Sequence, residues 1–340
     1  MENVRGVNLG GWLVLERWIS PSVFTGTKAR DEYSLCLELG AGATARLERH
    51  RDSFITEDHI KRLSGRGINS LRLPIGYWLF GDEPPFVDGA GTYVDRCLAW
   101  ADKYNLSLIL DFHAAPGSQN GNDHSGQAGD INWSRPGNIA KSLDFIAKLI
   151  ERYGQHPRLI GIEVLNEPDW SIGAEALIDY YARADKLIKS GCPSGVRTIV
   201  HDAFRPQEMA AALEVARLDV ALDVHLYQLF TPEDRALDLK GHLKKTKKEW
   251  KKLLKALGRD HPVIIGEWSA AMSELYRKID QPDWHYDKAD YQKYFEAQKR
   301  VFEKSKAGWT YWTARTEGGG VWSFIDSDFV PSQSLPADIQ

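Results

Sequence analysis

A chain of 340 residues with an apolar fraction of 43% is long enough for one large α/β domain or two smaller ones, and no linker argues for two. A net charge of −4, with acids and bases interspersed, excludes the uniform field expected of a nucleic-acid binder and points to a neutral partner. Three cysteines, Cys36, Cys97 and Cys192, are an odd number without Cys-x-x-Cys spacing, which excludes a disulfide framework or a zinc ribbon and leaves buried free thiols.

The chain opens Met-Glu-Asn-Val-Arg-Gly, with no basic n-region and no apolar h-region, and no apolar stretch reaches the roughly 18 residues of a membrane span. The expectation is a cytoplasmic protein or a mature domain trimmed of its signal peptide, with no membrane partner. Short apolar segments then recur at Val4 to Leu9, Asn69 to Ile75, Leu106 to Phe112, Leu159 to Leu165, Thr198 to His201, Val220 to Val224, Val263 to Gly266 and Gly308 to Thr313. Runs such as Leu159 to Leu165 are apolar throughout, as strands buried on both faces of a parallel sheet are. Helical patterns separate them. Thr56 caps one, with Glu57 and Asp58 in its first turn and Gly65 and Gly67 at its end. Eight strands alternating with helices predict a single (β/α)8 TIM barrel over residues 1–340, with a polar tail from Ser332 to Gln340.

Before the seventh strand, Lys244, Lys245, Lys247, Lys248, Lys251, Lys252 and Lys255 surround Leu243, Trp250, Leu253, Leu254 and Leu257 at helical spacing. A membrane or nucleic-acid patch would have this appearance. So would a solvated outer helix, which is the reading adopted because acids elsewhere balance the charge.

The ends of the predicted strands carry polar residues where a core would want apolar ones. Arg72 stands near the end of strand two, His113 at strand three, Asn166 and Glu167 at strand four, His225 and Tyr227 at strand six, Glu267 at strand seven and Trp312 at strand eight. A lone arginine or histidine there is more often structural than catalytic. Two glutamates in this company point instead to a carboxylate pair that breaks glycosidic bonds, placed where barrel enzymes carry their chemistry. Twelve tryptophans add amphipathic faces that suit sugar rings as well as cores, and most are expected in the core.

These residues carry a resemblance. The ordered landmarks are Arg5-Gly-Val-Asn-Leu-Gly-Gly-Trp-Leu-Val-Leu-Glu16, Leu71-Arg-Leu-Pro-Ile-Gly-Tyr-Trp78, Asp111-Phe-His-Ala-Ala-Pro-Gly-Ser-Gln-Asn-Gly121, Leu165-Asn-Glu-Pro168, His201-Asp-Ala-Phe204, His225-Leu-Tyr-Gln228 and Gly266-Glu-Trp-Ser-Ala270. Over nearly its whole length the chain resembles glycoside hydrolase family 5, in the branch of the exo-β-1,3-glucanases. The resemblance implies a retaining mechanism with Glu167 as acid/base and Glu267 as nucleophile. It implies further that Asn166 bonds the substrate 2-hydroxyl, that Arg72 and Tyr227 hold Glu267, that His113 and His225 hydrogen-bond around the first sugar, and that Trp312 is the platform beneath it. Glu16 and Asp123 would bind outer hydroxyls of a terminal glucose and close the pocket for exo action.

Such an acid/base must hold its proton near neutrality, so burial and the charge of Glu267 are expected to raise Glu167, while Glu267 stays ionised. No cofactor is implied, and no metal: His113 and His225 lie on different strands without His-x-His spacing. The expected partner is a β-glucan or a small β-glucoside, oligomeric state being open. One departure bears on specificity. Asn122 stands where the resemblance implies a Phe of an aromatic entrance clamp, with Phe230 as the remaining half. Trp322 and Trp170 are candidate platforms for the leaving group or packing residues. The alternatives to an exo-β-1,3-glucanase are a β-glucosidase or diglycosidase of small β-glucosides, an endo-β-glucanase, and a non-catalytic carbohydrate-binding protein on a dead hydrolase.

Overall fold

The computed structural model describes residues 3–81, 83–274 and 285–330. Eight parallel strands, β1 (Val4–Asn8), β2 (Ser70–Gly76), β3 (Ser107–Ala114), β4 (Leu159–Glu163), β5 (Arg197–His201), β6 (Ala221–His225), β7 (Val263–Glu267) and β8 (Gly308–Tyr311), close on themselves in sequence order. All eight predicted segments are strands. β4 ends at Glu163, two residues before the predicted end, so that Asn166 and Glu167 lie on the loop beyond it. Arg72 is the third residue of β2 and belongs to the barrel interior. The polar tail predicted from Ser332 lies outside the described residues.

The alternation of each strand divides its side chains between two cores. Val7, Leu71, Leu73, Leu108, Leu110, Ile162, Val200, Leu222, Ile265 and Trp309 face the helices in one large apolar cluster, whereas Val4, Ile109, Ile199, Ala221 and Ile264 meet inside the barrel as a small separate one. Helices Gly91–Lys103, Pro136–Tyr153, Ala174–Gly191, Pro206–Val215 and Lys288–Phe302 pack on the outer cluster. The helix predicted after Thr56 runs over Glu57–Gly65, and its start is fixed by the Thr56 N–H donating to His59 Nδ1 at 3.2 Å.

The lysine-rich segment is helical with a π turn, Thr246–Trp250, between Leu239–Lys245 and Lys251–Leu257. Its Trp250, Leu254 and Leu257 are buried while most of its lysines face outward, as expected of an outer helix. Among the described residues no helix is long and apolar enough to cross a membrane. The cysteines are free, Cys36 and Cys97 buried and Cys192 half-buried.

Above the small apolar plug the barrel interior turns polar. The Arg72 guanidinium, 1% exposed, spans it: Nε donates to Glu163 at 2.8 Å, Nη1 to Asn8 Oδ1 at 2.8 Å and Glu267 at 3.2 Å, and Nη2 to Asn166 Oδ1 at 2.7 Å. Asp111 lies 3.1 Å from Nη1. Four strands and the β4 loop are thus tied to one cation. A buried carboxylate left without its cation is costly, so Arg72→Met is expected to destabilise the fold by about 3–5 kcal/mol, measured as a lowered denaturant midpoint.

Barrel closure depends on a different position. Gly308 starts β8 at φ +93°, where it pairs with Val4, and a Cβ there would collide with the Val4 backbone itself. Backbone cannot swing away as a side chain can. Gly308→Ala is therefore expected to cost about 3–5 kcal/mol through strain and forced separation of β1 from β8, read as a fall of roughly 5–10 °C in thermal midpoint.

Candidate active site

The loop after β4 is held by the loop after β3. Gln119 Nε2 donates to the carbonyls of His113 at 2.7 Å and Asn166 at 3.0 Å, and Asn120 Nδ2 donates to the Glu167 carbonyl at 3.0 Å. These bonds hold Glu167 at φ +40°, a left-handed conformation that costs a non-glycine residue about 1 kcal/mol or more. The strained turn sends its carboxyl towards β6, where Oε1 lies 2.6 Å from His225 Nδ1, while Oε2 is 3.5 Å from His124 Nε2.

Glu267 reaches the same place from the end of β7. Its Oε1 takes the Arg72 bond, and its Oε2 accepts from the Tyr227 hydroxyl at 2.9 Å. His225 Nδ1 is 3.6 Å from that Oε2, so one imidazole nitrogen touches both carboxyls. The two contacts put Glu167 Oε1 and Glu267 Oε2 at most about 6 Å apart, a closeness that suits a retaining pair (~5–5.5 Å) better than an inverting one (~6.5–9.5 Å).

Charge is distributed in the resting site differently from the sequence-based expectation. Burial would raise Glu167, but the hydrogen bond and positive charge of His225 outweigh it and hold this carboxyl well below the ordinary range. Burial would also lower His225; the charges of Glu267 and Asp223 overcome that and lift it well above the usual histidine value. Glu267 is pushed up to about 7, by burial first and then by the Glu167 charge, against His225, Arg72 and Tyr227. The resting proton therefore sits on His225 rather than on Glu167. The reason is the 2.6 Å contact between β6 and the β4 loop, which spacing along the chain does not reveal.

Both glutamates open onto a cavity of about 700 Å³. Of the residues singled out by sequence, Glu16, His113, Asp123, Tyr227, Phe230 and Trp312 line it with them. Arg72, Asn166 and His225 do not line it and contact the glutamates or each other from the barrel side. Trp312 follows β8 through a cis peptide bond to Thr313, and its ring stacks on His113 at 5.5 Å and 9°. The His113 Nδ1 is 2.7 Å from Asp111. Glu16 is buried and accepts from Trp18 Nε1 at 2.8 Å; burial, and then Asp123, raise its carboxyl well above the ordinary range.

Asn122 lies on the wall with Phe230, which is 60% exposed, and Trp322 packs near Tyr227 and Trp18. Trp170, 70% exposed, is not among the residues that line this cavity.

Sequence reasoning missed Trp18, His124 and Phe204 as wall residues, together with Asn8, Glu163 and Asp223 behind the site. A period-two pattern signals some of them: Asp111 and His113, and Asp223 and His225, share the inward face of their strands. Phe204 follows β5 on two consecutive left-handed residues, Ala203 and Phe204, whose N–H groups donate to His201 Nδ1 and Asp202 Oδ1.

Two sets of donors, Glu167 with His201 and His225, and Glu163 with Asp223 and His225, each lie within 4.8 Å of one another. Both depend on His225. Its Nδ1 is engaged with Glu167 and its Nε2 faces Asp223 at 3.5 Å, which favours imidazolium, the form that cannot bind a metal. The chemistry of these donors suits a proton better than a cation.

Comparisons with known proteins bear on the family. The family model described as Cellulase (glycosyl hydrolase family 5) matches residues 40–318. A protein of Aspergillus fumigatus named probable glucan 1,3-beta-glucosidase A is 34% identical over 95% of this chain and 85% of its own length. Glucan 1,3-beta-glucosidase 1 of Schizosaccharomyces pombe is 33% identical over 93% and 84%. Among solved structures, rutinosidase from Aspergillus niger superposes with a TM-score of 0.79 at 22% identity, covering 97% of this chain and 98% of the other, a likeness of fold. With a family match across most of the barrel and two glutamates meeting at the C-terminal ends of its strands, the chain belongs to glycosyl hydrolase family 5.

Proposed function

We propose that this chain is a retaining, exo-acting β-glycosidase that removes terminal glucosyl units from a β-1,3-glucan, with Glu267 as nucleophile and Glu167 as acid/base. The observation that carries the reading is the spacing of the two carboxyls, bridged by one nitrogen of His225. The glucan 1,3-beta-glucosidase names of relatives at 33–34% identity support the linkage.

Glu267, in its ionised form and held by Arg72 and Tyr227, attacks the anomeric carbon. Glu167 must at that moment hold a proton for the departing oxygen. The pair of Glu167 and His225 holds one, and moving it from Nδ1 to Oε1 across 2.6 Å changes no net charge. Binding a sugar excludes water from the site and so favours the neutral pair over the ion pair. In the second half-reaction Glu167 takes a proton from water, which attacks the glycosyl ester and frees Glu267. Asn166 Nδ2 is buried without a partner, a donor available to the 2-hydroxyl. Glu16, whose protonated form is favoured by burial and by Asp123, can in that form donate to an outer hydroxyl where a carboxylate could only accept.

The deciding experiment is chromatography of early products from laminarin, linear β-1,6-glucan, cello-oligosaccharides and an aryl β-glucoside. Glucose alone from laminarin is expected. Mixed oligosaccharides would end the exo assignment, and turnover of the aryl glucoside alone would move the enzyme to small β-glucosides.

Three variants test the roles. Glu267→Ala is expected to lose at least about 10³-fold in kcat and to yield a product of inverted configuration with added azide. Glu167→Ala should lose far more on poor leaving groups than on activated aryl ones; equal losses would remove its acid role. Tyr227→Phe deletes a hydrogen bond that lowers Glu267, so the Glu267 pKa rises and the nucleophile is protonated at higher pH. The acidic limb of kcat/KM should accordingly move upward, by up to about one unit.

A further inference from the structure

The lysines set aside as a solvated helix face form something more specific when the last helix is packed beside them. At the N-terminal end of the barrel two adjoining cavities, of about 280 and 490 Å³, run between the segment 247–257 and the segment 293–306. Lys251, Lys304 and Val301 line both, so the cavities form one groove with an apolar floor. Lys247, Lys255, Lys293, Arg300 and Lys306 also line the walls, Lys293 alone of them meeting an acid, Asp290 at 3.5 Å, and Glu296 is the single carboxylate among the described lining residues.

Several exposed cations elsewhere on this protein are paired. Arg62, Arg96, Lys103, Lys141, Arg152 and Arg158 each meet an aspartate or glutamate. Among the described residues, Lys247, Lys251, Lys255, Arg300, Lys304 and Lys306 make no ion pair. A net charge of −4 thus conceals a concave strip of unpaired positive charge. Such strips cost self-repulsion, which a bound polyanion relieves.

We infer that this groove holds a linear polysaccharide carrying sulfate or phosphate esters, tethering the enzyme while its catalytic pocket stays open. The groove begins beside Val263, at the start of β7, whereas Glu267 ends that strand, so the tether and the pocket occupy opposite ends of the barrel. The chemistry argues against other anions. Single-stranded nucleic acids take aromatic stacking platforms, and the described lining of the groove has no Phe, Tyr or Trp and a single imidazole, His261. A membrane needs apolar side chains projecting from the basic face, but Trp250, Leu254 and Leu257 point inward, and none of the exposed large hydrophobics lies on these segments. Lysines act as mobile point charges, which suits ester groups spaced along a flexible chain.

The test uses the full chain and measures binding to dextran sulfate, with neutral dextran and single-stranded DNA of matched length beside it. Dextran sulfate is expected to bind with an affinity that falls steeply with salt, neutral dextran not to bind, and DNA to bind more weakly. Lys251→Glu/Lys304→Glu should weaken dextran sulfate binding at least about tenfold at low salt, leaving hydrolysis of an aryl β-glucoside unchanged. Lys244→Glu/Lys248→Glu makes the same change of charge on neighbouring exposed positions outside the groove, and should retain binding within about threefold. Equal losses in the two pairs would show a diffuse charge effect and overturn the groove. So would no binding at low salt, or DNA bound as tightly as dextran sulfate. Unchanged aryl-glucoside turnover by each variant confirms that it has folded.

Discussion

One buried guanidinium organises the working half of this barrel. Arg72 is enclosed by Asn8, Asp111, Glu163, Asn166 and Glu267, residues from β1, β3, β4, the β4 loop and β7. An arginine is suited to this because its planar fork offers five donors in fixed directions and remains charged when buried. Burial of so many acids would otherwise be unfavourable. Burial indeed raises Glu163 well above the ordinary range, with the Arg72 charge opposing it. The same cation supports Glu267 directly and positions the Asn166 amide, so a stability device and a reactive site share one set of atoms.

The reactive geometry is then set by loops clamped to that cluster. Glu167 sits in a strained conformation, which persists because Gln119 and Asn120 hydrogen-bond the backbone around it. His225 mediates between the two carboxyls. Its contact with Glu167 at 2.6 Å and with Glu267 at 3.6 Å makes the three groups one titrating unit, in which the position of a proton depends on what occupies the cavity. A retaining enzyme requires that its acid hold a proton when the leaving group departs. A proton parked one hydrogen bond away meets this requirement without a permanently neutral carboxylic acid.

The two ends of the barrel serve different chemistries. At the C-terminal end, carboxyls, histidines and aromatic rings surround a cavity with no lysine or arginine among its described lining residues, a setting for neutral sugars. At the N-terminal end, lysines from two helices stand unpaired around an apolar floor. Parallel strands make this separation natural, because every βα loop emerges at one end and every αβ loop at the other.

The sequence by itself determined the eight strands, since alternation and apolar runs are local signals that each strand carries independently. It determined the two glutamates and most of their company too, because polar residues near the ends of apolar strands stand out against their surroundings. Tertiary structure alone decided the rest. That Arg72 points inward to five partners, that Trp18, His124 and Phe204 reach the cavity wall, and that Trp170 does not, depend on how loops from different strands converge. The proton's resting place on His225, contrary to the reading from sequence, follows from a contact between residues 58 positions apart. The lysines likewise counted as balanced when summed along the chain, and became a groove only when a second helix was laid beside them. Periodicity and composition are properties of neighbours in sequence; charge, burial and reactivity are properties of neighbours in space.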